Sequence, residues 1–219
     1  MNETDLYPPL KAFLEGQGYA VKGEVKGCDV VAVRGEEPPV VVELKLHLNL
    51  HLVLQAVDRL PLSDAVYVGV PESSRVLKQH RKRVLKLLRM LGVGLVTIDP
   101  ASGRVGVLLD PGPYAGPRSD KKRRARLLGE FHRRVGDPNL GGADRKRGLL
   151  TAYRQRALAI GRFLAEAGPT KASAVAAAVT DPKARDVLYS NVYGWFDRVE
   201  RGVYDLSPEG RRALDDWTV

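Results

Sequence analysis

The chain has 219 residues, 44% of them hydrophobic and 28% charged, enough for one domain of ordinary size plus a smaller one. No apolar run is long enough to cross a bilayer, and Asn2-Glu3-Thr4-Asp5 is not the start of a secretory signal, so a cytoplasmic protein without membrane spans is expected. The single cysteine, Cys28, excludes an internal disulfide and a cysteine-based zinc cluster, and a net charge of +9 argues for a polyanionic partner.

Leu6 to Gly18 reads as an opening helix carrying Leu10, Phe13 and Leu14. Three β-rich runs follow, Tyr19 to Val25, Asp29 to Val33 and Val40 to Leu46, parted by Gly27 and by Gly35-Glu36-Glu37-Pro38-Pro39. Leu50 to Leu60 predicts a short helix stopped by Pro61, with Gln55 and Arg59 on one face. Then come a strand at Ala65 to Val70, a helix at Ser74 to Leu91, and strands at Val93 to Ile98 and Arg104 to Leu109. The stretch from Met1 to Asp110 thus reads as an α/β domain.

The Ser74 to Leu91 helix sets Leu77, Val84, Leu88 and Leu91 against Arg75, Lys78, Lys82, Lys86 and Arg89. Residues 75–89 carry 7 basic and no acidic side chains, whereas 1–74 carry 6 basic and 11 acidic ones. Unpaired like charges one turn apart destabilise a helix, and phosphate contact would offset that cost. A Pro/Gly-rich linker after Asp110 leads to Lys121-Lys122-Arg123-Arg124 on a helix capped by Ser119 and reaching about Val135. A further basic knot stands at Arg145-Lys146-Arg147, so 111–148 reads as a basic connector. With Phe131 as its only interleaved aromatic, it is suited to phosphates rather than to base stacking.

Residues 149–219 predict a helix from Leu149 to Ala167, a small one from Lys171 to Val179, and a third, begun by Asp181-Pro182, that holds Leu188, Val192, Trp195, Phe196 and Val199. A wing strand at Gly202 to Leu206 and a helix capped by Ser207-Pro208-Glu209 complete the order of a winged-helix-like module. Its third helix would present Lys183, Arg185, Tyr189, Asn191 and Arg198 to phosphates and base edges.

The chemistry concentrates at Val40-Val41-Val42-Glu43-Leu44-Lys45, where Glu43 lies 14 positions after the aspartate of Gly27-Cys28-Asp29. Strand alternation puts Glu43 and Lys45 on one side and Leu44 toward the core. If the two strands pair, Asp29 and Glu43 converge on a hard cation such as Mg2+ or Mn2+, with Lys45 beside an attacking water. Glu15 and Glu24 are candidates for a further acidic ligand. His47 and His51 lack the neighbouring glutamate of a zinc motif, and no Gly-rich nucleotide loop follows a strand.

The series Asp29, Glu43, Lys45 resembles the signature of the PD-(D/E)XK nuclease superfamily. The stretch from Gly27-Cys28-Asp29-Val30-Val31 to Leu54-Gln55-Ala56-Val57-Asp58-Arg59-Leu60 is similar to a bacterial family of PD-(D/E)XK phosphodiesterases without an assigned substrate. Cys28 stands where the name-giving proline would be. The resemblance runs from Met1 to about Asp110 and implies a restriction-endonuclease-like αβββαβ core, with Asp29 and Glu43 as metal ligands, the Leu44 carbonyl as a third, Lys45 beside the water and Gln55 supporting the site. Arg59, one turn after Gln55, would meet phosphate, as would Lys78, Lys82, Lys86, Lys121, Lys122, Arg123 and Arg124.

The sequence therefore predicts a Mg-dependent nuclease or phosphodiesterase acting on DNA in preference to RNA, with homodimer formation left open. The competing expectation is a non-catalytic nucleic-acid-binding or protein-interaction module on a nuclease scaffold.

Overall fold

The computed structural model describes residues 1–142 and 148–217. The basic knot at Arg145-Lys146-Arg147 lies outside the described residues. The chain separates into two units, Met1–Arg118 and Ser119–Val219.

The first unit opens with a 3-10 turn, Glu3–Leu6, and helix α1, Tyr7–Glu15. Strands β1 (Ala20–Val25), β2 (Cys28–Val33) and β3 (Val40–Leu44) follow, then α2 (Leu50–Arg59), β4 (Val66–Pro71), α3 (Arg75–Leu91), β5 (Gly94–Asp99) and β6 (Arg104–Leu109). The six strands form one sheet in sequence order, antiparallel except for the parallel pairs β3/β4 and β4/β5 that α2 and α3 connect. This is a mixed α/β unit built in the expected order.

β3 is buried on both faces, which is why its sequence is apolar on both sides of the strand, except for Glu43, rather than an alternation. Val40, Val42 and Leu44 pack with Leu6, Leu10 and Leu14 on one face. Val41 packs on the other with Leu52, Val53 and Ala56 of α2 and Leu77, Val84 and Leu88 of α3. Between β1 and β2 the chain reverses in two residues, Lys26 and Gly27, whose φ of 52° and 78° give the left-handed turn that matches strand twist. Gly69 of β4 lies opposite Leu44, and a Cβ there would stand 2.5 Å from Leu44 Cδ2, so this strand pair needs glycine.

The second unit contains α4 (Lys121–Arg133), α5 (Ala152–Ala167), β7 (Thr170–Lys171), α6 (Ala172–Ala178), α7 (Ala184–Ser190), β8 (Phe196–Glu200), β9 (Val203–Leu206) and α8 (Pro208–Asp216). β9 lies between β7 and β8 in a small antiparallel sheet. Its core gathers Leu158, Ile160, Leu164, Val175, Val187, Leu188, Trp195, Phe196 and Leu206.

The structure corrects two sequence expectations. α4 is capped by Asp120, whose carboxylate accepts the Arg123 N–H at 2.8 Å, not by Ser119. The third helix of the tail ends at Ser190, so Trp195, Phe196 and Val199 belong to or adjoin β8. Asn191 ends it: it adopts the left-handed conformation (φ 39°), and its side-chain amide brackets Phe196, donating to the carbonyl at 2.7 Å and accepting from the N–H at 3.1 Å. That amide is committed to the backbone rather than presented to base edges.

Candidate active site

The β2/β3 ladder runs Ala32–Val40, Val31–Val41, Val30–Val42 and then stops. One step further along this register, Asp29 faces Glu43 across the strands. The ladder's next donor, the Leu44 N–H, goes instead to Asp29 Oδ2 at 2.7 Å. On the other edge of β3 the Lys45 N–H binds the Gly69 carbonyl at 3.0 Å. Peptide groups alternate sides along a strand, so the Leu44 carbonyl faces the β2 side together with its N–H. Asp29 and Leu44 both line a cleft of about 400 Å³ whose other walls are Glu3, Thr4, Tyr7, Gly23 and Glu24. Glu24 has a φ of 55°, a conformation a glutamate adopts only at a cost.

Glu43 is 0% exposed. Its Oε1 accepts from Arg59 Nε at 2.6 Å, and its Oε2 is buried without a partner. Burial pushes the Glu43 carboxyl above the usual carboxylate range; the Arg59 hydrogen bond pulls it back and the nearby Asp29 charge pushes it up again. The same hydrogen bond raises the Arg59 pKa. Arg59 also donates through Nη2 to the Gly27 carbonyl, tying α2 to the hairpin that carries Asp29. Cys28 is buried beside this pair, and desolvation raises its thiol pKa.

Lys45 lies one residue past the end of β3, where alternation no longer dictates its direction. Its Nζ is 3.3 Å from Glu3 Oε2, and the partner of Glu43 is Arg59 rather than the lysine expected beside it. Gln55, one turn before Arg59 on α2, holds a buried Oε1 without a partner. Glu15 pairs with Lys11 on α1 at 3.7 Å. His47 and His51 are exposed, and among the described residues no group of three His, Cys, Asp or Glu side chains could hold a metal ion. Asp29, Glu43 with its orphaned buried Oε2, and the Leu44 carbonyl are nevertheless groups that could hold a hard divalent cation, since Mg2+ sites use one or two carboxylates plus substrate phosphate and water.

Lys78, Lys82 and Lys86 are exposed on α3, as are Lys121, Lys122, Arg123 and Arg124 on α4, and none pairs with a carboxylate among the described residues. α3 has a break at His80, whose φ of −130° leaves the helical region. No helix among the described residues is long and apolar enough to cross a membrane. The interactions that sequence reasoning missed are Glu43–Arg59 and Lys45–Glu3, joined across 16 and 42 positions.

A mixed six-stranded sheet with a carboxylate-bearing central strand and helices on both faces is consistent with a PD-(D/E)XK-like α/β protein. A family model described as "Putative PD-(D/E)XK phosphodiesterase (DUF2161)" matches residues 95–213, and the chain belongs to that family. The match begins in β5 and covers most of the second unit, rather than the stretch from Met1 to Asp110 on which the sequence resemblance rests; Asp29, Glu43 and Lys45 lie before it. No curated protein and no solved structure matches the chain.

Proposed function

We propose that the protein is a metal-dependent phosphodiesterase, a nuclease that hydrolyses DNA. The observation that carries this reading is the end of the β2/β3 ladder, where Asp29 takes the Leu44 N–H and faces a buried Glu43 whose second oxygen has no partner. Asp29, Glu43 and the Leu44 carbonyl would hold Mg2+ or Mn2+. Such an ion polarises a phosphoryl oxygen and lowers the pKa of its water. Arg59 keeps Glu43 in place against the cost of its burial, Lys45, paired with Glu3 of the cleft wall, orients the attacking water or meets developing charge, and Gln55 supports the site from α2. The exposed cations of α3 and α4 hold the phosphodiester backbone. The helix and strand order of residues 149–219 supports a winged-helix reading of the tail, appended to a catalytic domain by a basic connector.

The test is Mg2+- or Mn2+-dependent cutting of labelled DNA and RNA by wild type and Glu43→Gln, with calorimetric metal titration of both. Cutting by wild type alone, with metal binding lost in Glu43→Gln, is expected. If wild type cuts neither substrate and the two proteins bind metal equally, the catalytic reading fails. A non-catalytic nucleic-acid-binding scaffold then takes its place, a reading favoured by one observation: the Arg59 guanidinium already neutralises Glu43.

A further inference from the structure

A second cleft of about 420 Å³ lies wholly in the second unit, lined by Lys171 of β7, Arg185 and Tyr189 of α7, Arg198 of β8, Arg201 of the β8/β9 turn and the buried Tyr204 of β9. Four cations arrive from four segments and no carboxylate lines the cleft. The strand register contributes to this sorting. Arg198 is the cross-strand partner of Tyr204, while Asp197 pairs with Asp205 on the opposite face of the ribbon. Asp186 of α7 itself does not line the cleft, and Asp181, just before the helix, is taken up by Arg156, which donates to its two oxygens at 2.6 and 2.5 Å. Among the described residues none of the four cations is paired with a carboxylate.

Like charges gathered without counterions repel one another, so the arrangement calls for an anion. Tyr189, 78% exposed at the rim of the cleft, adds an aromatic face of the kind on which nucleotides stack. Cations plus an open aromatic describe a nucleic-acid strand better than an acidic protein or a free inorganic anion.

We infer that this cleft is a docking site for the internal phosphodiesters of a nucleic-acid strand, contacted by Lys171, Arg185, Arg198 and Arg201. It goes beyond the carboxylate site and does not require that site to be catalytic. Two of its members, Arg185 and Arg198, were legible as exposed tail residues; Lys171 and Arg201 are isolated in sequence and join them only in the fold.

The experiment uses the full chain in EDTA, so that binding is read whether or not the protein cuts. Fluorescence anisotropy of a short 3′-fluorescein DNA would be followed across a salt series for wild type, Arg185→Gln/Arg198→Gln and Lys171→Gln/Arg201→Gln. Each double variant should bind about tenfold more weakly at low salt. With a single-stranded probe the slope of log affinity against log salt should shrink by about 1.4, since each lost phosphate contact removes roughly 0.7. A 5′-phosphate on the probe should change nothing. Wild-type affinity and slope in both double variants, with thermal unfolding unchanged, overturn the site. Binding that depends on the 5′-phosphate, or poly-glutamate competing as well as DNA, overturns its assignment to internal phosphodiesters. Because the titration is run in EDTA and reads binding alone, it separates this proposal from the fate of the catalytic one, which the cleavage assay decides.

Discussion

Removing the Arg59 guanidinium tests how the candidate site is held. Arg59 donates at 2.6 Å to a carboxylate that is 0% exposed, and its own side chain is 20% exposed. Truncating one partner of a buried pair costs about 3–5 kcal/mol, because the remaining charge keeps its desolvation penalty. The partial exposure of Arg59 argues for the low end, and Glu43, whose carboxyl burial already pushes toward the neutral form, can limit the loss by taking a proton. Arg59→Ala should therefore destabilise the first unit by about 3 kcal/mol at pH 7, including the lost tie to the Gly27 carbonyl. Urea unfolding of wild type, Arg59→Ala, Glu43→Gln and the double variant forms a cycle whose coupling should exceed about 1.5 kcal/mol. Saturating Mg2+ at about 100 times its Kd should return about 2.7 kcal/mol to a fold that binds it, and more to Arg59→Ala than to wild type, since a cation then replaces the missing one. An Arg59→Ala loss under about 1 kcal/mol with additive effects and no Mg2+ rescue would refute this account of Glu43.

Lys45→Met should abolish phosphodiester cleavage while leaving metal affinity near wild type or slightly tighter, because a positive charge is removed beside the cation; calorimetry with the cleavage assay checks it. Gly94→Ala would place a Cβ 2.3 Å from Tyr67 Cδ1 and should cost about 1–3 kcal/mol in urea unfolding. Burial, with Asp110 beside it, holds the Tyr67 hydroxyl at about 12, so ultraviolet titration should show it falling toward 10 if the ring is expelled. Asp181→Asn should destabilise the second unit by about 1.5–3 kcal/mol at pH 7. The hydrogen bonds from Arg156 lower the Asp181 pKa, so this stabilisation is present above the ordinary value of 3.8 and is lost as pH falls through the folded-state value; the gap between the two proteins in urea should close there.

The sheet was legible because local rules agree along it. The run Val40–Leu44, apolar except for Glu43, marks a strand covered on both faces, and glycine or proline marks most of the sheet's strand boundaries. Asp29 and Glu43 were legible as a pair because a hairpin-linked strand almost fixes its neighbour's register. Arg59 was legible only as an exposed cation on α2, since no periodicity links it to a carboxylate 16 positions earlier on a strand. The error in the tail has a local cause. Trp195 and Phe196 suit a helix face as well as a strand, and the deciding residue is Asn191, whose left-handed backbone and bracketing amide stop α7 and start the turn. The family match, running over 95–213, reads β5, β6 and this tail, so the carboxylate site rests on its own geometry.

The cations near the carboxylates divide by what already occupies them. Arg59 is fixed: it is held by a buried oxygen and a backbone carbonyl, and moving it costs about 3 kcal/mol. Lys45 is paired with Glu3, whose side chain is 47% exposed, and such a surface pair contributes about 0–1 kcal/mol. The ammonium can therefore leave Glu3 for an incoming phosphate at small cost, where the guanidinium cannot leave Glu43. Among the described residues the α3 cations have no carboxylate to leave, and they stand on the helix that shares the α2 face of the sheet with Glu43. A cleft lined by Glu3, Glu24 and Asp29 repels a polyanion by itself. On the proposed reading, attraction to the first unit comes from the α3 cations, local charge compensation from Lys45 and from a metal ion that Asp29 and Glu43 would hold, and the position of Glu43 from Arg59. Exchanging Arg59 and Lys45 would consequently not preserve the site, even though the net charge would be unchanged.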